Sequence, residues 1–238
     1  AAVPRRPARM SATTPPRRTR IHWRPSWRIV PSRFPPVGLF DRIASPDNLD
    51  ALFELEGLTN PRLRQELGEL SLVPPERRIS GPGTTPIMAA FTHPAPDGSR
   101  FSDGSWGVYY AARDRETSIA ETVHHRGNFL RATREPPTVL QMRCYLADVK
   151  GSFHDIRRGW PELHHADSYG ASQAAARQWH RDGADGIVYN SVRRQGGQCV
   201  AVFYPDLIAP AVQGPHLQYH WDGERISHYT VVNEVVPL

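Results

Sequence analysis

The chain has 238 residues, 39% of them hydrophobic, which is enough to bury one substantial core, and it reads as one large domain. Its formal net charge of +5 is concentrated at one end: Arg5, Arg6, Arg9, Arg17, Arg18 and Arg20 stand in the first twenty residues with no acid, so the rest sits near −1 and lacks the broad basic surface of a nucleic-acid binder. No apolar run approaches the roughly eighteen residues that cross a bilayer, and no charged-then-apolar signal opens the chain, so a soluble, cytoplasmic protein without a membrane partner is expected.

Residues 1–20 read as a disordered basic tail, with 1–9 an extension upstream of a start at Met10, and residues 21–238 as the folded domain. In chain order, WRIV (27–30) begins a strand that Pro31, Pro35 and Pro36 break into an ordered loop. SPDNLDALFELEGL (45–58) is a capped helix with Leu49, Leu52, Phe53 and Leu55 at helical spacing, and PRLRQELGEL (61–70) a second, shorter one. Residues 73–105 are rich in loop formers, with one apolar segment over 87–91. WGVYYAA (106–112) is a strand, followed by a helix that Asp114 caps and Gly127 ends. A strand over 137–149, a helix over 167–183 capped by Asp167 or Ser168, strands over 185–193 and 199–205, and a hairpin around Asp222 and Gly223 complete the chain. Strands from both halves with helices between them predict an α+β fold, a single domain with a central mixed sheet flanked by helices. Cys144 and Cys199 lie in apolar strand-like runs and read as reduced core thiols.

Several chemistries fail on spacing. His124–His125 and His164–His165 are adjacent pairs whose members point about 100° apart on a helix, and neither HExxH nor CxxC occurs, so no metal site is expected. ISGPGTTP lacks the Gly-Lys-Ser/Thr ending of a phosphate loop, and neither GxGxxG nor GxSxG is present. The unit RFSDGSWGVYYAARDRETSIAE (100–121) is more informative. On its helix Ile119, Ala120 and Val123 share one face, with Thr117, Glu121 and His124 on an adjoining polar strip, so Glu121 sits at a border where simple solvation is also a sufficient reading. Tyr109 and Tyr110 alternate across the strand, one toward the core and one away from it.

The succession WRIVPSRFPP, GSRFSDGSWGVYYAARDRETSIAE, YGASQAAARQW and GIVYNSVRRQGGQCVAVF resembles the RES-domain family, toxin halves of bacterial toxin–antitoxin pairs, over most of residues 26–205. The resemblance implies an ADP-ribosyltransferase-like fold, NAD as substrate with no prosthetic cofactor, cleavage of NAD by phosphorolysis or hydrolysis, and a Xre-type helix-turn-helix antitoxin as partner. The alternative within the same chemistry is ADP-ribosyl transfer to a protein; from another class, a non-catalytic nucleic-acid-binding regulator would use the Arg-rich tail. Residue by residue, Glu121 matches the helix glutamate, Tyr110 the strand tyrosine eleven residues before it, and Arg100 the preceding arginine. Arg28 matches the first arginine, with Arg33 competing for that role, and both Ser172 and Ser191 are candidates for the serine.

The chemistry asks for these residue types. Breaking the ribose–nicotinamide bond leaves an oxocarbenium-like sugar, which a carboxylate such as Glu121 stabilises while holding a ribose hydroxyl. Tyr110 offers a stacking face to flat nicotinamide, Arg28 and Arg100 (or Arg33) offer planar forks to a dianionic pyrophosphate, and a serine hydroxyl can bond an amide or a phosphate.

Overall fold

The structure is a computed structural model that describes residues 15–32, 39–42 and 68–232. The helix expected over 45–58 and all but the end of the one over 61–70 lie outside these residues, as does Arg33. The fold is α+β: strands β1 (Arg18–Pro31), β2 (Tyr109–Ala112), β3 (Thr138–Asp155), β4 (Gly186–Asn190), β5 (Gln198–Val202), β6 (Val212–Trp221) and β7 (Ile226–Val232), with helices α1 (Thr85–Thr92), α2 (Arg115–Thr133) and α3 (Gly170–Arg181).

The seven strands make one mixed sheet in the order β1-β2-β5-β4-β3-β6-β7, and a further pairing of β1 with β3 closes the first five into a ring. The length of β3 makes this possible. One edge pairs with β1 from Met142 to His154; the other serves β6 from Thr138 to Leu146 and then β4, in parallel, at His154 and Asp155. Strand alternation then sorts side chains onto two faces. Tyr109, Ala111, Val188, Val200 and Val202 face a core cluster with Phe91 of α1, while Ala112, Ile187, Tyr189, Cys199 and Ala201 face Ala176 and Trp179 of α3. A third cluster joins Ile119 of α2 to Ile29, Met142, Cys144, Leu217 and Tyr219. Both cysteines are free and buried.

Several element limits differ from the sequence expectation, each for a local reason. Strand β1 starts at Arg18, inside the stretch read as a tail, because residues 18–23 pair with residues 149–154 of β3. Strand β3 runs on through Lys150, Gly151 and Ser152, which look like a turn in isolation; pairing along β1 overrides that composition. Helix α2 passes through Gly127, which is buried, and ends six residues later where Arg134 takes a left-handed φ of 53° ahead of Pro136 and Pro137. Helix α3 begins only at Gly170, because the Asp167 and Ser168 N–H groups donate to His165 Nδ1 and form a turn before it. Strand β2 is four residues long. Before it the chain passes so close to α1 that a Cβ on Gly107 would stand 2.2 Å from Phe91 Cα. Among the described residues no helix is long and apolar enough to cross a membrane.

Candidate active site

Helix α2 follows β2 after a two-residue step, and its first turn is fixed by Asp114, whose Oδ1 accepts the Thr117 N–H at 2.8 Å. This cap sets the helix phase. Thr117, Ser118 and Ile119 go inward and Glu121 stands on the rim, its side chain 18% exposed. The border position read from the sequence is therefore a mostly enclosed one.

The connection from β4 to β5 comes to meet that carboxylate. Ser191 Oγ donates to Glu121 Oε1 at 2.6 Å, across seventy residues of sequence. Ser191 Oγ also accepts the Arg193 N–H at 3.1 Å and the Arg194 N–H at 3.0 Å, so the loop's own turn orients the hydroxyl and commits its proton to Glu121. The loop is held against α2 at two further points: Arg194 Nη1 donates to Thr117 Oγ1 at 3.1 Å, and a Cβ on Gly197 would stand 2.6 Å from that same Oγ1. Glycine at 197 is what lets the loop approach so closely.

Ser172, the other serine candidate, is 1% exposed in the first turn of α3. Its hydroxyl donates to the backbone oxygens of Arg100 at 2.7 Å and Tyr169 at 3.0 Å. The structure thus puts one serine on the carboxylate and the other on the backbone behind Arg100.

Arg100 is itself 8% exposed. Its hydrogen bonds within the chain run from Nη1, to the carbonyls of His165 at 2.8 Å and Leu163 at 3.4 Å, and its guanidinium lies 4.7 Å from the Tyr169 ring centre. Tyr110 points to the same side. Its Oη accepts the Phe101 N–H at 2.9 Å and shares a 2.8 Å hydrogen bond with Ser99 Oγ, which locks the ring, and burial pushes its phenol up to about 12. Arg28 approaches from β1: Nη1 donates to the Tyr110 carbonyl at 3.1 Å, the guanidinium lies 4.7 Å from the Tyr109 ring centre, and Nε is buried with no hydrogen-bond partner among the described residues. Burial lowers the Arg28 pKa. An unspent, desolvated donor of this kind is suited to an anion.

Electrostatics tie Glu121, Tyr110 and Arg100 together around Tyr189, whereas Arg28 interacts with Tyr109, Tyr110 and Tyr145. Burial, first, and then the Cys199, Glu121 and Tyr110 charges push the Tyr189 phenol well up, while Arg100 opposes them. His125, one helical turn beyond Glu121, has Nε2 4.0 Å from Glu121 Oε2. A lone carboxylate would favour its imidazolium, yet burial and then His124, Arg193, Arg100 and Arg126 lower it to about 4, so the ring is neutral at pH 7. The i, i+4 relation of His125 to Glu121 is present in the sequence. Among the described residues no three His, Cys, Asp or Glu side chains gather at a point.

The RES domain model matches residues 75–222 of the chain, a span that includes Arg100, Tyr110, Glu121, Ser172 and Ser191 and leaves Arg28 on its N-terminal side. The uncharacterized protein y4oC of Sinorhizobium fredii is 35% identical over 206 residues, covering 84% of each chain. A chain in the crystal structure of the M. tuberculosis MbcT–MbcA toxin–antitoxin complex is similar with a TM-score of 0.39 and 13% identity, over 58% of this chain and 73% of that one. With a family match across more than half its length and a relative at this identity, the chain belongs to the RES domain family.

Proposed function

We propose that the protein cleaves the bond between nicotinamide and ribose in NAD, as the toxin of a toxin–antitoxin pair. The observation that carries the reading is the Ser191–Glu121 contact of 2.6 Å, because it orders a carboxylate by one oxygen and leaves the other, Oε2, toward His125. In this reading the C1′–N bond breaks with its electron pair going to the nicotinamide nitrogen. Neutral nicotinamide departs, and the cation left at C1′ is stabilised by Glu121. Arg28 and Arg100 hold the pyrophosphate, and the locked ring of Tyr110 sets the plane against which nicotinamide lies. A phosphate oxygen or a water that gives up its proton then takes C1′.

Ser191 fills the role of the family serine, holding Glu121 in place; Ser172 supports the Arg100 backbone. The inhibiting partner is a Xre-type helix-turn-helix protein, and co-expression with it preserves cellular NAD that the unpaired chain depletes. The reading is tested by incubating the pure protein with NAD, with and without inorganic phosphate, and weighing the products. Free nicotinamide is expected in both cases, with ADP-ribose from water and ADP-ribose 1″-phosphate when phosphate is the acceptor. NAD recovered intact under both conditions would remove the assignment. ADP-ribose found on the protein itself or on an added protein would move it to transfer.

A further inference from the structure

A cleft of about 580 Å³ opens where the start of β1, the ends of the parallel pair β3 and β4, and the start of β5 converge, lined by Arg17, Asp155, Arg157, Arg158, Asn190 and Gln198. None of the residues assigned above to NAD lines it. Its charge is unbalanced in a specific way. Arg157 takes both oxygens of Asp155, from Nε at 2.9 Å and from Nη2 at 2.6 Å, and directs Nη1 to Gln198 Oε1 at 3.1 Å. Asp155 thereby gives both its oxygens to one arginine, with the Arg158 charge acting on it more weakly from further off. Its carboxyl is lowered by those hydrogen bonds, and Arg157 is raised by the same pair. Arg17 and Arg158 are exposed and make no side-chain hydrogen bond or ion pair with a described residue, so two positive charges face a cleft whose acid is already neutralised.

The cleft is within the size range of small-molecule sites but has no aromatic or aliphatic residue in its lining, so a base or a lipid chain would find nothing to pack against. Three planar guanidinium groups, one fixed in direction, with two side-chain amides between them, suit oxygen-rich anions carrying more than one charge. We propose that this cleft is a second anion site, separate from the NAD site, that takes a small pyrophosphate-bearing molecule. Its place gives it reach: Asn190 ends β4, its partner Gln198 begins β5, and the loop between them carries Ser191.

The test is calorimetric titration of inorganic pyrophosphate into the full chain without NAD, at roughly 0.15 M ionic strength so that diffuse attraction is screened. Wild type is expected to bind, and Arg17→Ala and Arg158→Ala each to weaken binding about tenfold or more, the scale of a lost charge-assisted hydrogen bond. Arg181→Ala, an exposed arginine at the end of α3, should bind as wild type. Inorganic phosphate in place of pyrophosphate should bind more weakly, which separates recognition of two linked phosphates from recognition of one. Both key side chains are exposed, so their removal leaves the core intact. The proposal is overturned by absence of binding to wild type, by full affinity in the Arg17→Ala/Arg158→Ala double variant, or by an equal loss in Arg181→Ala.

Discussion

Two serines, one in YGASQAAA and one in VYNSVR, do opposite things. Ser172 is closed off in the first turn of α3 with its proton shared by two backbone carbonyls, whereas Ser191 stands partly open on a loop and gives its proton to a carboxylate. The region around Ser172 and Arg100 resists motion: the arginine is buried, bonded to carbonyls and stacked on Tyr169. The region around Ser191 and Glu121 joins a loop to a helix rim through side chains alone. The difference teaches that the first region fixes backbone and the second presents a carboxylate, the group that the proposed reaction needs beside its developing charge.

The comparison breaks most visibly at the carboxylate. Glu121→Gln keeps the shape and the Ser191 contact but removes the charge, so release of nicotinamide from NAD should fall by about 10² to 10³, the usual cost of one preorganised electrostatic contact, with an unchanged melting temperature. Turnover near wild type in the folded variant would mean that Glu121 is only a rim residue.

Next in size is the serine contrast. Ser191→Ala should slow nicotinamide release about ten- to a hundredfold with little change in stability, because it frees Glu121 Oε1 but leaves an exposed loop. Ser172→Ala should do the reverse, lowering stability by about 1–2 kcal/mol because the buried Arg100 carbonyl loses the hydroxyl while the Tyr169 carbonyl keeps the Gln173 N–H, with turnover altered only about twofold. Thermal melts and initial rates on the two variants decide it, and interchanged outcomes would exchange the two roles.

Arg100→Lys tests whether the rigid region holds substrate as well as shape. It keeps the charge and loses the fork and the face against Tyr169, so KM for NAD should rise about tenfold with a smaller fall in kcat. A fall in kcat alone would place Arg100 at the reacting bond instead.

The smallest effect is on pH. Partial burial and then the neighbouring His124, Arg193, Arg100 and Arg126 hold His125, whose side chain stays 51% exposed, below its ordinary 6.5, so beneath that value the unfolded chain binds more protons. The stability from neutral His125 is therefore complete above pH 6.5 and is lost as pH falls toward 4. His124, His154 and His180 are lowered in the same direction, so the acid slope of the denaturation midpoint should flatten in His125→Gln without disappearing. An unaltered slope would mean that His125 is as solvated folded as unfolded.

Much of this was legible in the sequence where local physics decides. The Asp114 cap, the alternation of Tyr109 and Tyr110, and the Asp222–Gly223 hairpin each follow from a few neighbouring residues, and each is present. The full length of β3 was not, because Lys150-Gly151-Ser152 has turn composition and is extended only by partners far away in the chain. The choice between Ser172 and Ser191 was equally hidden: each stands near a family-like motif, YGASQAAA and VYNSVR, and only the sheet order, which brings the end of β4 to the rim of α2, sets one of them on Glu121. The cleft at Arg157 could not be read either, since its walls come from four separate strand ends.

The claim at the centre is that Ser191 acts through Glu121, and a double-mutant cycle on nicotinamide release measures it directly. Single Glu121→Gln and Ser191→Ala variants and the double variant are compared at equal folded concentration. If the hydroxyl works by holding the carboxylate, the double variant should be about as slow as Glu121→Gln alone, because the serine then has no charge left to position. If the two losses multiply, Ser191 acts on the substrate independently, and the 2.6 Å contact is not the working unit of the site.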